Sequence, residues 1–99
     1  MSRLTLIKKR INDTEDLPEG VRFYLFGSIL NGSIDSDIDL LCVYDAAILP
    51  PADAYSTLQP LFEDLQSHFA APLHPVVLTE VEERQVRFIE SEECVAVAD

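Results

Sequence analysis

The chain reads as an α+β protein, a two-layer arrangement in which helices pack on a small mixed β-sheet. Three observations predict it. Residues 21–26 and 37–44, the second apolar after two opening carboxylates, stand on either side of a glycine-containing turn, which reads as strand, turn, strand. Residues 3–12 and 52–69 repeat their apolar side chains at the period of a core-facing helix. A further apolar run, Val76-Val77-Leu78, ends at a helix-opening sequence. With 99 residues the chain is expected to form one domain, residues 1–99, with a modest core. A chain of this size buries about two-thirds of its unfolded surface.

In the first helix, Leu4, Ile7 and Ile11 make one stripe, and Asn12-Asp13 end it. Leu17-Pro18-Glu19-Gly20 has proline at the second and glycine at the fourth position of a type I turn, which delivers the chain into strand one, residues 21–26. Strand two, residues 37–44, opens on Asp37 and Asp39 and then turns wholly apolar through Leu40, Leu41, Cys42 and Val43, the pattern of a central strand covered on both faces. Residues 45–51 form a loop. In the long helix Tyr55, Leu58, Phe62, Leu65 and Phe69 share a face, with Leu61 beside them, and Pro60 is expected to kink or break it near Gln59. Residues 72–78 form strand three, which Pro75 places at an edge or delays until after His74. Thr79-Glu80-Val81-Glu82 is a capping box opening a helix to about Glu90 that is expected to bury Val81, Phe88 and Ile89. Residues 94–97 add a short edge strand.

Charge and cysteine content narrow the function classes. A formal net charge of −11 argues against unassisted binding to duplex nucleic acid, which needs a basic surface. The charge is uneven. Arg3, Lys8, Lys9, Arg10 and Arg22 stand against Asp13, Glu15, Asp16 and Glu19 in residues 1–22, so that segment sums to +1 and the rest carries −12. A basic N-terminal face could meet a triphosphate or a partner, or be an ordinary solvated helix face. Cys42 and Cys94 have no paired-ligand spacing and read as reduced thiols. No apolar run approaches the roughly 20 residues of a membrane span, and the first ten residues lack the order of a signal peptide, so a cytoplasmic location is expected.

The chemistry-bearing stretch lies between residues 24 and 44. Side chains alternate along a strand, so Asp37 and Asp39 point the same way with Ile38 opposite. Two like charges held side by side at a strand mouth call for a cation, and a divalent metal is the natural one. Gly27-Ser28 follows an apolar strand. Glycine turns the backbone without a Cβ penalty and leaves amide hydrogens to hold phosphate oxygens where a short helix begins, and the serine hydroxyl adds a donor. The competing reading is a hairpin turned at Asn31-Gly32, with Asp35, Asp37 and Asp39 solvated at its base.

Phe26-Gly27-Ser28, then Gly32, then Ser36-Asp37-Ile38-Asp39-Leu40 resembles the nucleotidyltransferase fold of the DNA polymerase beta superfamily, and in particular its minimal single-domain members. The resemblance implies that Gly27 and Ser28 cradle a nucleoside triphosphate, with ATP the expected one, and that Asp37 and Asp39 bind paired Mg2+ ions. It implies transfer of a nucleoside monophosphate to an acceptor hydroxyl. It also implies a possible partner, a small helical HEPN-type toxin that such proteins neutralise. The spacer from Ser28 to Asp37 is shorter than is common in the family, which shortens the helix after Gly-Ser. The family's third carboxylate, carried on a later strand, has no counterpart here. His74 stands about where it would be, with Glu80 after the strand, and histidine can accept a proton or bind a metal but brings no negative charge. His74 therefore joins Asp37 and Asp39 as a candidate catalytic residue, and polar strand start is its alternative role. The rival function is a catalytically silent binding module that keeps the fold and not the chemistry.

Overall fold

A computed structural model describes residues 2–31 and 37–98. Ser2 opens the first helix, α1 (Arg3–Asn12), by accepting the Thr5 amide at 3.1 Å, and Lys9 and Arg10 sit in the last turn where the helix dipole favours cations. Ile7 and Ile11 are completely buried. A two-pronged ion pair, Arg10 Nε to Asp64 Oδ2 at 3.0 Å and Nη2 to Oδ1 at 2.8 Å, ties α1 to the long helix and holds the Asp64 carboxyl below its usual range. Strand β1 (Val21–Phe26) follows, then a single 3-10 turn over Gly27–Asn31. The remaining elements are β2 (Ile38–Tyr44), α2 (Pro51–Phe69), β3 (Leu73–Thr79), α3 (Glu80–Val86), α4 (Phe88–Ser91) and β4 (Val95–Ala96).

Among the described residues the sheet has the order β3-β2-β1-β4, with β1 antiparallel to β2 and β4 and with β2 parallel to β3. A parallel pair needs a long crossover, and α2 is that crossover. β2 is interior, and Leu40 through Tyr44 are all buried, as its unbroken apolar run requires. One face of the sheet, through Phe23, Leu25, Ile38, Leu40 and Cys42, meets Ile7 and Ile11 of α1 and Leu58, Phe62 and Leu65 of α2 in the main core. No described helix is long and apolar enough to cross a membrane.

Two expectations for the elements need correction, the break at Pro60 and the length of the helix after Thr79, and that for Pro75 is met in one of its two forms. Pro60 does not break α2, which runs as one helix from Pro51 to Phe69. An interior proline costs about 3 kcal/mol, whereas burying Leu58, Leu61, Phe62 and Leu65 contributes about 1.5 to 3 kcal/mol each, so packing wins. β3 begins at Leu73, before His74, and keeps Pro75 within it; the alternative of an edge position is the one realised. The capping box at Thr79 is present in both directions, Glu82 N–H to Thr79 Oγ1 at 3.0 Å and Thr79 N–H to Glu82 Oε1 at 2.9 Å. The helix it opens stops at Val86 instead of Glu90, because Arg87 takes a left-handed φ of 54°, and Val81 is 54% exposed. The break reorients the chain so that Phe88, the first residue of α4, stands edge-on to Phe26 with ring centroids 5.0 Å apart. Gly32 of the expected Asn31-Gly32 hairpin turn lies outside the described residues, as do Asp35 and Ser36.

Replacing Pro60 by alanine restores a helical donor at an exposed position. The intrinsic gain of about 3 kcal/mol is offset by about 1 kcal/mol of added freedom in the unfolded chain. Pro60→Ala is therefore expected to stabilise the protein by about 2 kcal/mol, read as a raised urea midpoint.

Candidate functional site

The end of β1, the start of β2 and the start of β3 meet at one mouth of the sheet. In the ladder, Asp39 lies opposite Phe26 of β1 and opposite His74 of β3. Register partners in a sheet present their side chains to the same face, so the imidazole of His74 stands beside the Asp39 carboxylate. Asp37, one residue before β2, reaches the same imidazole, with Oδ2 2.9 Å from His74 Nε2. Asp37, Asp39 and His74 therefore share one face. Ile38 between the two aspartates is wholly buried on the other, as is Ile29 of the 3-10 turn. The amide of Ile38 bonds the Pro72 carbonyl at 2.8 Å, which fixes the start of β2 against the start of β3.

Gly27 completes the arrangement. Its φ is +77°, and a Cβ built there would fall on Oδ2 of Asp39. Two constraints thus demand glycine at this position, the left-handed backbone and the carboxylate that occupies the side-chain space. Ser28, the next residue of the turn, is exposed. The turn is only five residues long, in keeping with the short spacer.

The Asp39 carboxyl is held above its ordinary titration range, first by burial. His74 pulls it down, and Asp37 and Glu92 push it up. The Asp37–His74 contact is more open, with those side chains 48% and 59% exposed, so it contributes little to stability. Asp37 and Asp39 are the oxygen donors to which a hard divalent cation would bind. Among the described residues no three or more carboxylate, imidazole or thiol groups gather into a cage for a metal. Mg2+ does not need such a cage, because it usually keeps several waters and takes one or two carboxylates together with substrate phosphates. The donor set fits that mode.

The sequence-derived candidates Asp37, Asp39, His74 and Gly27 are brought together, and Ser28 adjoins Gly27 in the chain. Glu80 begins α3, one residue beyond the far end of β3 from His74. Glu92, which faces Asp39 electrostatically, was not legible, because its approach depends on the chain reversal at Arg87. Cys42 is buried and its thiol is pushed up to about 12 by burial, while Cys94 is half-buried and pushed up to about 11, first by burial and then by Glu92 and Glu83. Neither is a ready nucleophile.

Gly27→Ala is expected to cost at least about 1 to 2 kcal/mol from the left-handed backbone alone. The clash with Asp39 adds to this, so Gly27→Ala and Asp39→Ala should be non-additive by about 0.5 to 3 kcal/mol in a double-mutant cycle measured by urea unfolding. Strict additivity would show that the carboxylate does not lie against Gly27.

A carboxyl raised in the fold stabilises the protein below the ordinary carboxyl pKa of about 3.9 and loses that contribution as pH rises through the folded value. Asp39→Asn should accordingly melt above the wild type at neutral pH without added metal, with the difference closing as pH falls below about 4.

Compared with protein families, residues 7–97 match the nucleotidyltransferase domain. No match was found among curated proteins or among solved structures.

Proposed function

The chain belongs to the nucleotidyltransferase domain family, and from that premise we propose that it transfers a nucleoside monophosphate from a nucleoside triphosphate to an acceptor hydroxyl at the mouth formed by Gly27, Asp37, Asp39 and His74. The observation that carries this reading is the convergence of two carboxylates on one face against the glycine that ends β1. A cost to stability at Asp39 with no structural return is expected of a functional group.

In the proposed reaction the acceptor oxygen forms a bond to the α-phosphorus in line as the bond to the pyrophosphate oxygen breaks, and pyrophosphate leaves. Mg2+, when bound, supplies neutralisation of the triphosphate charge and lowers the barrier to deprotonating the acceptor. Asp37 and Asp39 provide its protein oxygens. Gly27 and Ser28 contact the phosphates with backbone amide and hydroxyl. His74 receives the acceptor's proton. A carboxylate only accepts hydrogen bonds, so His74 donates to Asp37 from Nε2, and the neutral ring then keeps Nδ1 free to accept that proton. ATP is the proposed nucleotide. A small helical HEPN-type protein is the proposed acceptor or partner, for which the charge of −11 is better suited than for duplex nucleic acid.

A second reading, a silent binding module, is favoured by one observation. In the register where β3 would set a carboxylate beside Asp39, it sets His74. Transfer of labelled nucleotide measured from about pH 5 to about pH 9 separates the two, since that range brackets the ordinary histidine pKa of about 6.5. If His74 is the base, His74→Ala abolishes transfer and His74→Asp moves its pH dependence out of the histidine range. If the third carboxylate was lost along with activity, His74→Asp creates or increases transfer. Transfer indifferent to both substitutions would remove His74 from the site.

The carboxylates have their own test. Asp37→Asn with Asp39→Asn should melt slightly higher than the wild type without metal and lose any Mg2+-dependent rise in melting temperature. Transfer should fall roughly 100-fold or more. A double variant that still responds to Mg2+ as the wild type does would make the two aspartates structural.

A further inference from the structure

We infer that Phe26 and Phe88 form the platform on which the base of the nucleoside triphosphate stacks, and that the site thereby prefers purine to pyrimidine nucleotides. The inference rests on the triphosphate reading of Gly27 and Ser28.

Phe26 immediately precedes Gly27 and is the register partner of Asp39, so its ring lies on the same face of the sheet as that carboxylate. On the opposite face the preceding Leu25 is completely buried, whereas Phe26 is only half-buried. Phe88 meets it edge-on, with ring centroids 5.0 Å apart and ring planes at 81°. Phe88 is itself half-buried, and no residue of α4 is fully buried. Its place is fixed through the next residue: the Ile89 amide donates to Glu83 Oε2 at 3.0 Å, and the Ile89 carbonyl accepts the Cys94 amide at 2.9 Å. The left-handed backbone of Arg87, unfavourable for a residue with a Cβ, turns the chain so that the ring reaches Phe26. A strained turn and two hydrogen bonds therefore hold in position a ring that the core does not enclose.

The position of the pair suits one part of the substrate. Asp39 has two register partners, His74 on the β3 side and Phe26 on the β1 side. With His74 receiving the acceptor's proton, the acceptor takes the β3 side and the nucleoside is left the side of Phe26. A nucleotide held by its phosphates at Gly27 and Ser28 sets its base one sugar away from that turn, beside the ring that precedes the turn and the ring that meets it. Aromatic side chains stack with any base, and a ring already fixed in place loses little freedom in doing so. Neither phenyl ring carries a hydrogen-bonding atom, so discrimination follows the area of the base, and the larger purines of ATP and GTP stack better than the pyrimidines of CTP and UTP.

The experiment is calorimetric titration of the full chain, in Mg2+, with ATP, GTP, CTP and UTP and with inorganic tripolyphosphate, which has the phosphates and no base. The wild type should bind ATP and GTP more tightly than CTP and UTP. Phe88→Leu should weaken ATP binding roughly 10-fold and leave tripolyphosphate binding unchanged. Phe88→Tyr should keep the ATP affinity, and Tyr55→Leu, which removes an exposed ring from α2, should change neither. The chain has no tryptophan, so the indole introduced by Phe88→Trp reports the contact directly, and ATP but not tripolyphosphate should quench its fluorescence. Wild-type ATP affinity in Phe88→Leu, or equal quenching by ATP and tripolyphosphate, would overturn the platform and leave the triphosphate site standing. Equal weakening of ATP and tripolyphosphate by Phe88→Leu would also overturn it, since the ring would then shape the phosphate site and not hold the base. CTP and UTP bound as tightly as ATP would overturn the purine preference. A wild type that binds neither ATP nor tripolyphosphate would overturn the triphosphate reading and this inference with it.

Discussion

The Asp39 carboxylate lies where the side chain of residue 27 would otherwise be, and the geometry of the sheet mouth depends on that contact. Gly27 permits it by having no Cβ and by accepting a φ of +77°. The same conformation turns the chain out of β1 into the short 3-10 turn, so one residue both ends a strand and makes room for a charge. Beneath it, Ile29 and Ile38 are completely buried and leave neither neighbour free to rotate away. The carboxylate is thus held by the packing of its neighbours, with His74 beside it easing its ionisation.

Much of this was legible because strand periodicity is a strict rule. Alternation alone put Asp37 and Asp39 on one face with Ile38 on the other, and the apolar run after them placed β2 in the interior. The helices at residues 3–12 and 52–69 followed from their apolar spacing with at most one residue of error. What failed were local signals that tertiary packing overrules. Pro60 is an intrinsic helix breaker, yet four buried neighbours carry α2 through it. Val81 fits the apolar pattern of a core-facing helix, but α3 ends at Arg87 before that pattern can be used, and Phe88 reaches the sheet from a separate turn.

Residues gathered by topology are harder to read than residues gathered by periodicity. His74 lies 35 positions from Asp39, and its place beside that residue is a consequence of the parallel register that α2 allows. Its position ahead of an apolar run hinted at this; its bond to Asp37 did not follow from the sequence. Glu92 gave still less signal. Its approach requires the left-handed residue at Arg87, the edge-on contact of Phe88 with Phe26 and the antiparallel return through β4, none of which has a local sequence mark strong enough to predict the others.

The charge balance at the mouth then follows from which element supplies each group. A carboxylate on β3 would stand directly beside Asp39, and three anions in adjacent strand positions would repel one another strongly in the free protein. With His74 there, the register partner of Asp39 on β3 lowers its carboxyl rather than raising it, against the opposing effects of burial, Asp37 and Glu92. Coulomb interaction falls with distance and with intervening solvent, so a charge placed farther off than the adjacent strand position opposes the ionisation of Asp39 less. A histidine at that register position therefore imposes a milder penalty than a carboxylate would, in a chain of 99 residues whose modest core has little stability to spare for buried charge.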